Sequence, residues 1–394
     1  MESQGENVTD EDAIVEEMDR SLTKVRHFLQ QRVPYGSIRE PNAPPQSSSS
    51  SAPCCRETEE PSSGGKAPVY PVDAFLYLEE DVEELVERGC ISREYCRACG
   101  SVEIGLTDFI THSFSQDQLV FLSCYLLPAL SDASYAVTQD WCLRRRNEQS
   151  PDAASPFTCR HVVDVGSRLG VVPLSCYFAA QQQRLRATQR VTGIELDGEM
   201  VELQRTVLKR FASKPASLQV DIIHSNCFEG AGEEALRDAD VVILHNVFEY
   251  FTETPVEHLR SWCRLREIVA RRGQLLICSP SLEETFASFT PEHMQVVMNS
   301  SSGGNSLLAS EASAQQHVDG NTRKRSRDEQ ESKEGVFEQW CQSWVTEIDV
   351  AELREAFLVL RQAGCNCHDD HSSCGEVDKE LEEGLRHMRV YVVK

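Results

Sequence analysis

The rhythm of apolar and polar positions divides this chain into two parts. From residue 161 onward, short apolar runs bounded by turn residues alternate with longer segments whose apolar positions recur every three or four residues. The runs predict strands at 161–165, 190–196 (RVTGIEL), 218–225 (LQVDIIHS), 239–245 (ADVVILH) and 273–279 (GQLLICS). The segments between them predict helices at 170–182, 198–212, 229–237 and 255–271. Strands alternating with helices predict an α/β fold, a parallel sheet with helices on both faces. A last strand is expected in RHMRVYVVK, after a helical region over 336–361 and a Cys/His-rich loop.

Before 161 the pattern is helical. Ile14, Met18, Leu22, Val25 and Leu29 fall at three- and four-residue steps and predict an amphipathic helix over 10–33. Pro, Ser and Gly fill 34–68, a composition that buries too little apolar surface to order itself. The first helix therefore reads as tethered, a mobile tail in preference to a docking element. Asp73–Arg88 predicts a short helix closed by Gly89, and Ser115–Gln118 (SQDQ) predicts a capping box opening the apolar helix LVFLSCYLLPAL. A polar loop over 144–158 leads to the first strand, and 299–335 reads as a disordered insertion. Three parts result: 1–68, an acidic helix plus linker; 69–158, a helical cap; and 159–394, the α/β domain.

Composition narrows the function. A chain of 394 residues, 40% hydrophobic, can bury a full core. A net charge of −24 argues against a general nucleic-acid binder, because phosphate neutralisation needs Lys and Arg. Small-molecule or basic protein substrates remain. The N-terminal stretch MESQGENVTDEDAIVEEMDR is neither a signal nor a transit peptide, and no apolar run is long enough to span a bilayer. The expected location is cytoplasmic. The basic run Arg323–Arg327 makes a nuclear one the alternative, although it reads equally as a solvated cluster. The sixteen cysteines, without a secretory signal, read as free thiols. Cys96 and Cys99 have the spacing of half a zinc ribbon. The second cluster, which holds Cys365 and Cys367, lacks C-x-x-C spacing and lies far off in sequence. No metal is expected; structural zinc on Cys96, Cys99, Cys365 and Cys367 is the alternative.

The candidate chemistry begins at HVVDVGSRLG, 161–170. An apolar strand ends near Asp164, a turn carries Gly166 and Gly170 four apart, and an apolar helix follows. Such a corner lets backbone approach a ligand closely. The dinucleotide fingerprint puts its outer glycines five apart, so the spacing here is a different one. It resembles the D/E-x-G-x-G-x-G turn of class I S-adenosylmethionine (SAM) methyltransferases, with Arg168 in place of the middle glycine. VTGIEL ends in Glu195; HSNCFEG carries Asn226 and Cys227; ADVVILHNVFEYF carries His245 and Asn246. VFEYF is similar to the turn of type 11 members of that family, with Tyr250 in place of a histidine, and RRGQLLICSPSLEE follows the family's glycine-then-strand pattern. Together these matches cover 161–283. CRACGS, DFITHSFS, VDVGSRLG and NVFEYF also resemble a eukaryotic methyltransferase-like family, which supplies no substrate.

The resemblance implies a Rossmann-like, seven-stranded methyltransferase sheet with a reversed last strand at its edge, a helical N-terminal cap, and SAM as cofactor. It implies Asp164 near the methionyl amine, Gly166, Ser167, Arg168 and Gly170 in the turn, and Glu195 with Leu196 at the ribose. Asn226 and Cys227 would lie at the adenine, and His245 and Asn246 over the methyl group, His245 as a base and Asn246 orienting the acceptor. Arg168 either reaches the cofactor carboxylate or fills the hollow. The partners implied are SAM and an unidentified methyl acceptor, a protein being preferred because an acidic surface attracts basic peptides. The alternatives are a catalytically silent methyltransferase-fold scaffold and a non-SET histone-lysine methyltransferase.

Overall fold

A computed structural model describes residues 10–33, 73–77, 79–88, 113–146, 157–213, 217–249, 252, 254–301, 337–364, 379 and 381–394. In chain order the elements are α1 (Asp10–Gln30), α2 (Glu79–Glu87), α3 (Gln116–Val120), a π-helical segment (Phe121–Leu126), α4 (Leu127–Ser131), β1 (Tyr135–Val137) and β2 (Leu143–Arg145). Then follow β3 (His161–Val165), α5 (Val171–Gln181), β4 (Arg190–Glu195), α6 (Gly198–Phe211), β5 (Gln219–His224), α7 (Gly230–Asp238), β6 (Val241–His245), α8 (Pro255–Ile268) and β7 (Leu275–Ser279). The chain closes with α9 (Leu282–Ala287), α10 (Pro291–Ser301), β8 (Val345–Ile348), α11 (Ala351–Gly364) and β9 (Arg389–Val393).

The main sheet has seven strands in the order β5-β4-β3-β6-β7-β9-β8. The first five run parallel, as the alternating pattern predicts. β9 is antiparallel to both β7 and β8, so it is the one reversed strand. It does not form the edge, as expected from sequence: β8 lies outside it. β8 comes from within 336–361, read as wholly helical. Four residues with the burial pattern buried, half-buried, half-buried, buried carry too little period-2 signal to stand out between two helical stretches. The supposed insertion from 299 begins inside α10, which runs to Ser301. Likewise the polar loop from 144 begins inside β2, which pairs antiparallel with β1.

Side chains alternate across the sheet and build two cores. Val162, Val241, Ile243, Leu275, Ile277, Val390 and Val392 face the layer of α1, α3, α4, α5, α6 and α11. Val163, Val165, Val242, Leu244, Leu276, Cys278 and Tyr391 face that of α7, α8, α9 and α10. Burial on both faces explains why the central strands read as continuous apolar runs.

α1 belongs to the first core and is not a mobile tail. Met18, Leu22, Val25 and Leu29 are fully buried, with Val15, Phe28 and Val33 beside them, and the helix packs on α3 and α5. Asp19 of α1 and Asp117 of α3 converge on Arg361 of α11, at 2.6 and 2.5 Å. The period of the helix was visible in sequence; its receiving surface, built from residues about a hundred positions away, was not.

The helix that starts at the Ser115 capping box is buried on all sides through its π-helical turn. Pro128 lies four residues after Cys124 and has no N–H for its carbonyl. Arg184 takes over that role: its Nε and Nη2 both donate to the Cys124 carbonyl, at 3.1 and 2.9 Å.

Candidate functional site

The site lies where β3, β4, β5 and β6 end, the edge at which open α/β sheets take ligands. The turn after β3 is clamped onto β4: Gly166 N–H and Ser167 N–H donate to the Ile194 carbonyl at 2.9 and 3.0 Å. Gly166, Arg168 and Gly170 have φ of +69°, +41° and +72°. The two glycines adopt this region at little cost, whereas Arg168 does so against its Cβ. Among the described residues a Cβ on Gly166 would meet only Val247 methyls, at 3.8 Å, which leaves room for a ligand on its outer side. A Cβ on Gly170 would meet Gln204 Cγ at 3.0 Å; this glycine serves the packing of α6 and the entry into α5. Ser167 points inward. It is buried, its Oγ donates to Gln204 Oε1 at 2.9 Å, and it occupies space that a Cβ on Gly193 would claim.

Glu195 ends β4. Its Oε2 accepts the Arg168 N–H at 2.8 Å, and its Oε1 accepts the N–H groups of Leu196 and Asp197 at 2.8 and 2.9 Å. A carboxylate has about four lone-pair sites, so among the described residues roughly one acceptor direction stays on offer. Burial raises the Glu195 pKa, and the three backbone donors hold the rise back. Asp164, one strand over, is buried and pushed well above the usual carboxylate range, first by burial and then by the Glu195 charge. Two carboxyls in one desolvated corner are a poor arrangement for an empty protein and a good one for a cationic ligand group. Leu196, just beyond Glu195, is an exposed large apolar side chain.

Asn226 Oδ1 accepts the Phe228 N–H at 3.0 Å, an Asx turn that shapes the end of β5. Cys227 beside it is half-buried, its thiol pushed up to about 12 by burial. Phe228 stacks on Phe248 at 5.5 Å. Asn246, at φ +52°, donates its N–H to the Ser279 carbonyl at 2.9 Å. His245 lies against Phe114, ring centroids 4.2 Å apart.

The side chain of the arginine in the turn does not point outward. The Arg168 guanidinium is buried in an ion pair with Asp73, itself fully buried. Asp73 also accepts Ser113 Oγ at 2.8 Å and the Phe75 N–H at 2.9 Å. Asp73 was read as the start of a helix; instead, 73–77 is a turn and α2 begins at Glu79. Neither Asp73 nor Phe114 carried a sequence signal as a site residue, because each acts through a partner remote in sequence.

Cys96, Cys99, Cys365 and Cys367, Tyr250 and the run Arg323–Arg327 lie outside the described residues. Among the described residues no cluster of His, Cys, Asp or Glu has the composition of a metal site, and no helix is long and apolar enough to cross a membrane.

Counted within the sheet alone, the strand order is 3-2-1-4-5-7-6 with the seventh reversed, the class I methyltransferase fold. No family model and no curated protein matches the chain. Among solved structures, it is similar to magnesium protoporphyrin IX methyltransferase from Synechocystis PCC 6803 with bound SAM, at 18% identity and a TM-score of 0.24 over 35% of this chain and 57% of that one. It is also similar to precorrin-6y C5,15-methyltransferase from Geobacter metallireducens GS-15, at 13% identity and a TM-score of 0.24 over 36% and 64%. A third is the bifunctional kinase-methyltransferase WbdD, at 16% identity and a TM-score of 0.22 over 33% and 25%. The chain thus spans less than two thirds of each of these proteins. The fold assignment rests on the strand order itself.

Proposed function

We propose that the protein binds SAM at the carboxyl edge of the sheet and transfers its methyl group to an acceptor nucleophile. The observation that carries this reading is the pairing of Asp164 and Glu195 in one desolvated corner beneath a turn whose Gly166 side is open. Glu195 retains an acceptor direction for a ribose hydroxyl, and Leu196 offers an apolar surface to the nucleoside. Asp164 would hold the methionyl amine, whose positive charge offsets the burial of the carboxyl. When bound, the cofactor supplies an electrophilic methyl carbon. The protein's share is to align the acceptor in line with it and to hold water away.

Asn246 and His245 stand at the end of β6, where an acceptor would approach. In this reading Asn246 orients the acceptor and His245 takes its proton where the nucleophile is protonated. A basic protein segment is the acceptor class that best suits the net charge of −24. The test is incubation of the full chain with methyl-labelled SAM and cell extract, followed by detection of labelled product. Label in a protein band, lost in a Glu195→Ala control, supports the reading. Saturable SAM binding with no transfer to any acceptor favours the silent scaffold.

A further inference from the structure

We propose that Asp73 and Arg168 form a latch that holds the glycine turn in its cofactor-accepting shape, making Asp73 a positioning residue for the cofactor site. The inference rests on the cofactor reading above. Arg168 stands 95 residues after Asp73. Its two halves do different things. The side chain is tied to Asp73, and the backbone N–H is tied to Glu195 Oε2 at 2.8 Å. One residue therefore connects the N-terminal segment to the acid expected to grip the ribose.

The backbone of Arg168 is at φ +41°, a region in which an L side chain is strained by its own Cβ. Something must hold it there, and among the described residues the buried ion pair with Asp73 anchors this side chain. Asp73 is itself fixed. Its carboxyl accepts from Phe75 N–H and Ser113 Oγ, and the carbonyls of Phe75 and Leu76 accept from Arg26 Nε and Gln30 Nε2 of α1, at 2.9 and 2.7 Å. Next to Ser113, Phe114 lies on His245. The cap segments thus touch the turn and the end of β6 at once. A glycine at 168 would adopt this conformation unaided; an arginine there needs its aspartate.

That difference supplies the test. In full-length protein, Asp73→Asn, Arg168→Gly and the double variant are titrated with S-adenosylhomocysteine, the demethylated cofactor, and their thermal midpoints are measured. Asp73→Asn should weaken binding about tenfold or more and lower the midpoint, because it removes a fully buried counter-charge from the guanidinium. The double variant should return to within about threefold of wild-type affinity, since glycine needs no partner at positive φ. An Asp73 that served packing alone would not be rescued by a change at 168. If Asp73→Asn does not fold, recovery of folding in the double variant supports the latch, and failure to recover overturns it. Wild-type affinity in Asp73→Asn, or a double variant no better than that single one, also overturns it. Should the wild type not bind the ligand at all, the cofactor reading fails; rescue of the thermal midpoint in the double variant then still reads the latch as a fold element, and its absence removes the latch as well.

Discussion

Leu22→Ala tests the placement of α1. Leu22 is fully buried, within a row formed by Met18, Val25 and Leu29, all against α3 and α5. Truncating a buried leucine removes transfer free energy and leaves a cavity, together about 2–5 kcal/mol. Against a total stability of about 5–15 kcal/mol, that is a large share. The expected fall in thermal midpoint is roughly 5–15 °C. Lys24→Ala on the exposed face of the same helix is the control and should stay within about 0.5 kcal/mol. Removing residues 1–33 strips seven buried apolar side chains from the core, at about 1.5–3 kcal/mol each. The sum, about 10–20 kcal/mol, is as large as the whole stability of about 5–15 kcal/mol, so the truncated chain should lose cooperative unfolding. The assay is thermal and urea denaturation followed by circular dichroism. A Leu22→Ala midpoint equal to wild type, or a truncated chain unfolding cooperatively at the wild-type midpoint, would refute the packing argument and return α1 to a tether.

Other expectations follow from the site and the helix beside it. Glu195→Ala should weaken S-adenosylhomocysteine by about 1–3 kcal/mol, the loss of a charged hydrogen-bond partner; unchanged affinity by calorimetry would remove Glu195 from the site. The raised Asp164 and Glu195 carboxyls bind protons more tightly folded than unfolded. Their contribution to stability is therefore full below the unfolded value, about 4, and is lost as pH rises through the raised folded values. Urea midpoints over a pH series should fall less steeply for Asp164→Asn than for wild type, and parallel slopes would contradict this. A cationic amine beside Asp164 favours the ionised carboxyl, so SAM affinity should rise with pH across the same window; a flat profile would count against the contact. Arg184→Met should cost about 1–3 kcal/mol by orphaning the Cys124 carbonyl. Adding Pro128→Ala should recover part of that, because residue 128 regains an N–H; no recovery in chemical denaturation would separate the fork from the proline.

Sequence showed most clearly what is local. Strands buried on both faces read as apolar runs, and β3 to β7 with α5 to α8 fall within a few residues of their expected bounds. β8 and the β1–β2 hairpin escaped because strands of four and three residues are too short for a period to register. The reversal of β9 was expected from a family resemblance, but its interior position depends on β8 and went unseen with it. At the site, the strand–turn–helix corner after β3 was legible because its apolar runs and its two glycines are contiguous in sequence. The partner of Arg168 was not: Asp73 sits in a segment that looked like an ordinary helix start, and the need for a counter-charge appears only once the guanidinium is buried.

The proposed function stands on the corner between Asp164, Gly166 and Glu195 taking a sulfonium nucleoside. Isothermal titration of the full-length protein with S-adenosylhomocysteine addresses it without knowledge of the acceptor. Saturable binding of one ligand per chain, abolished or strongly weakened by Glu195→Ala in a variant that keeps the wild-type thermal midpoint, is the expected result. No heat and no thermal shift at about millimolar ligand, where even a Kd of this order would register, would contradict the account and leave a methyltransferase fold without its cofactor.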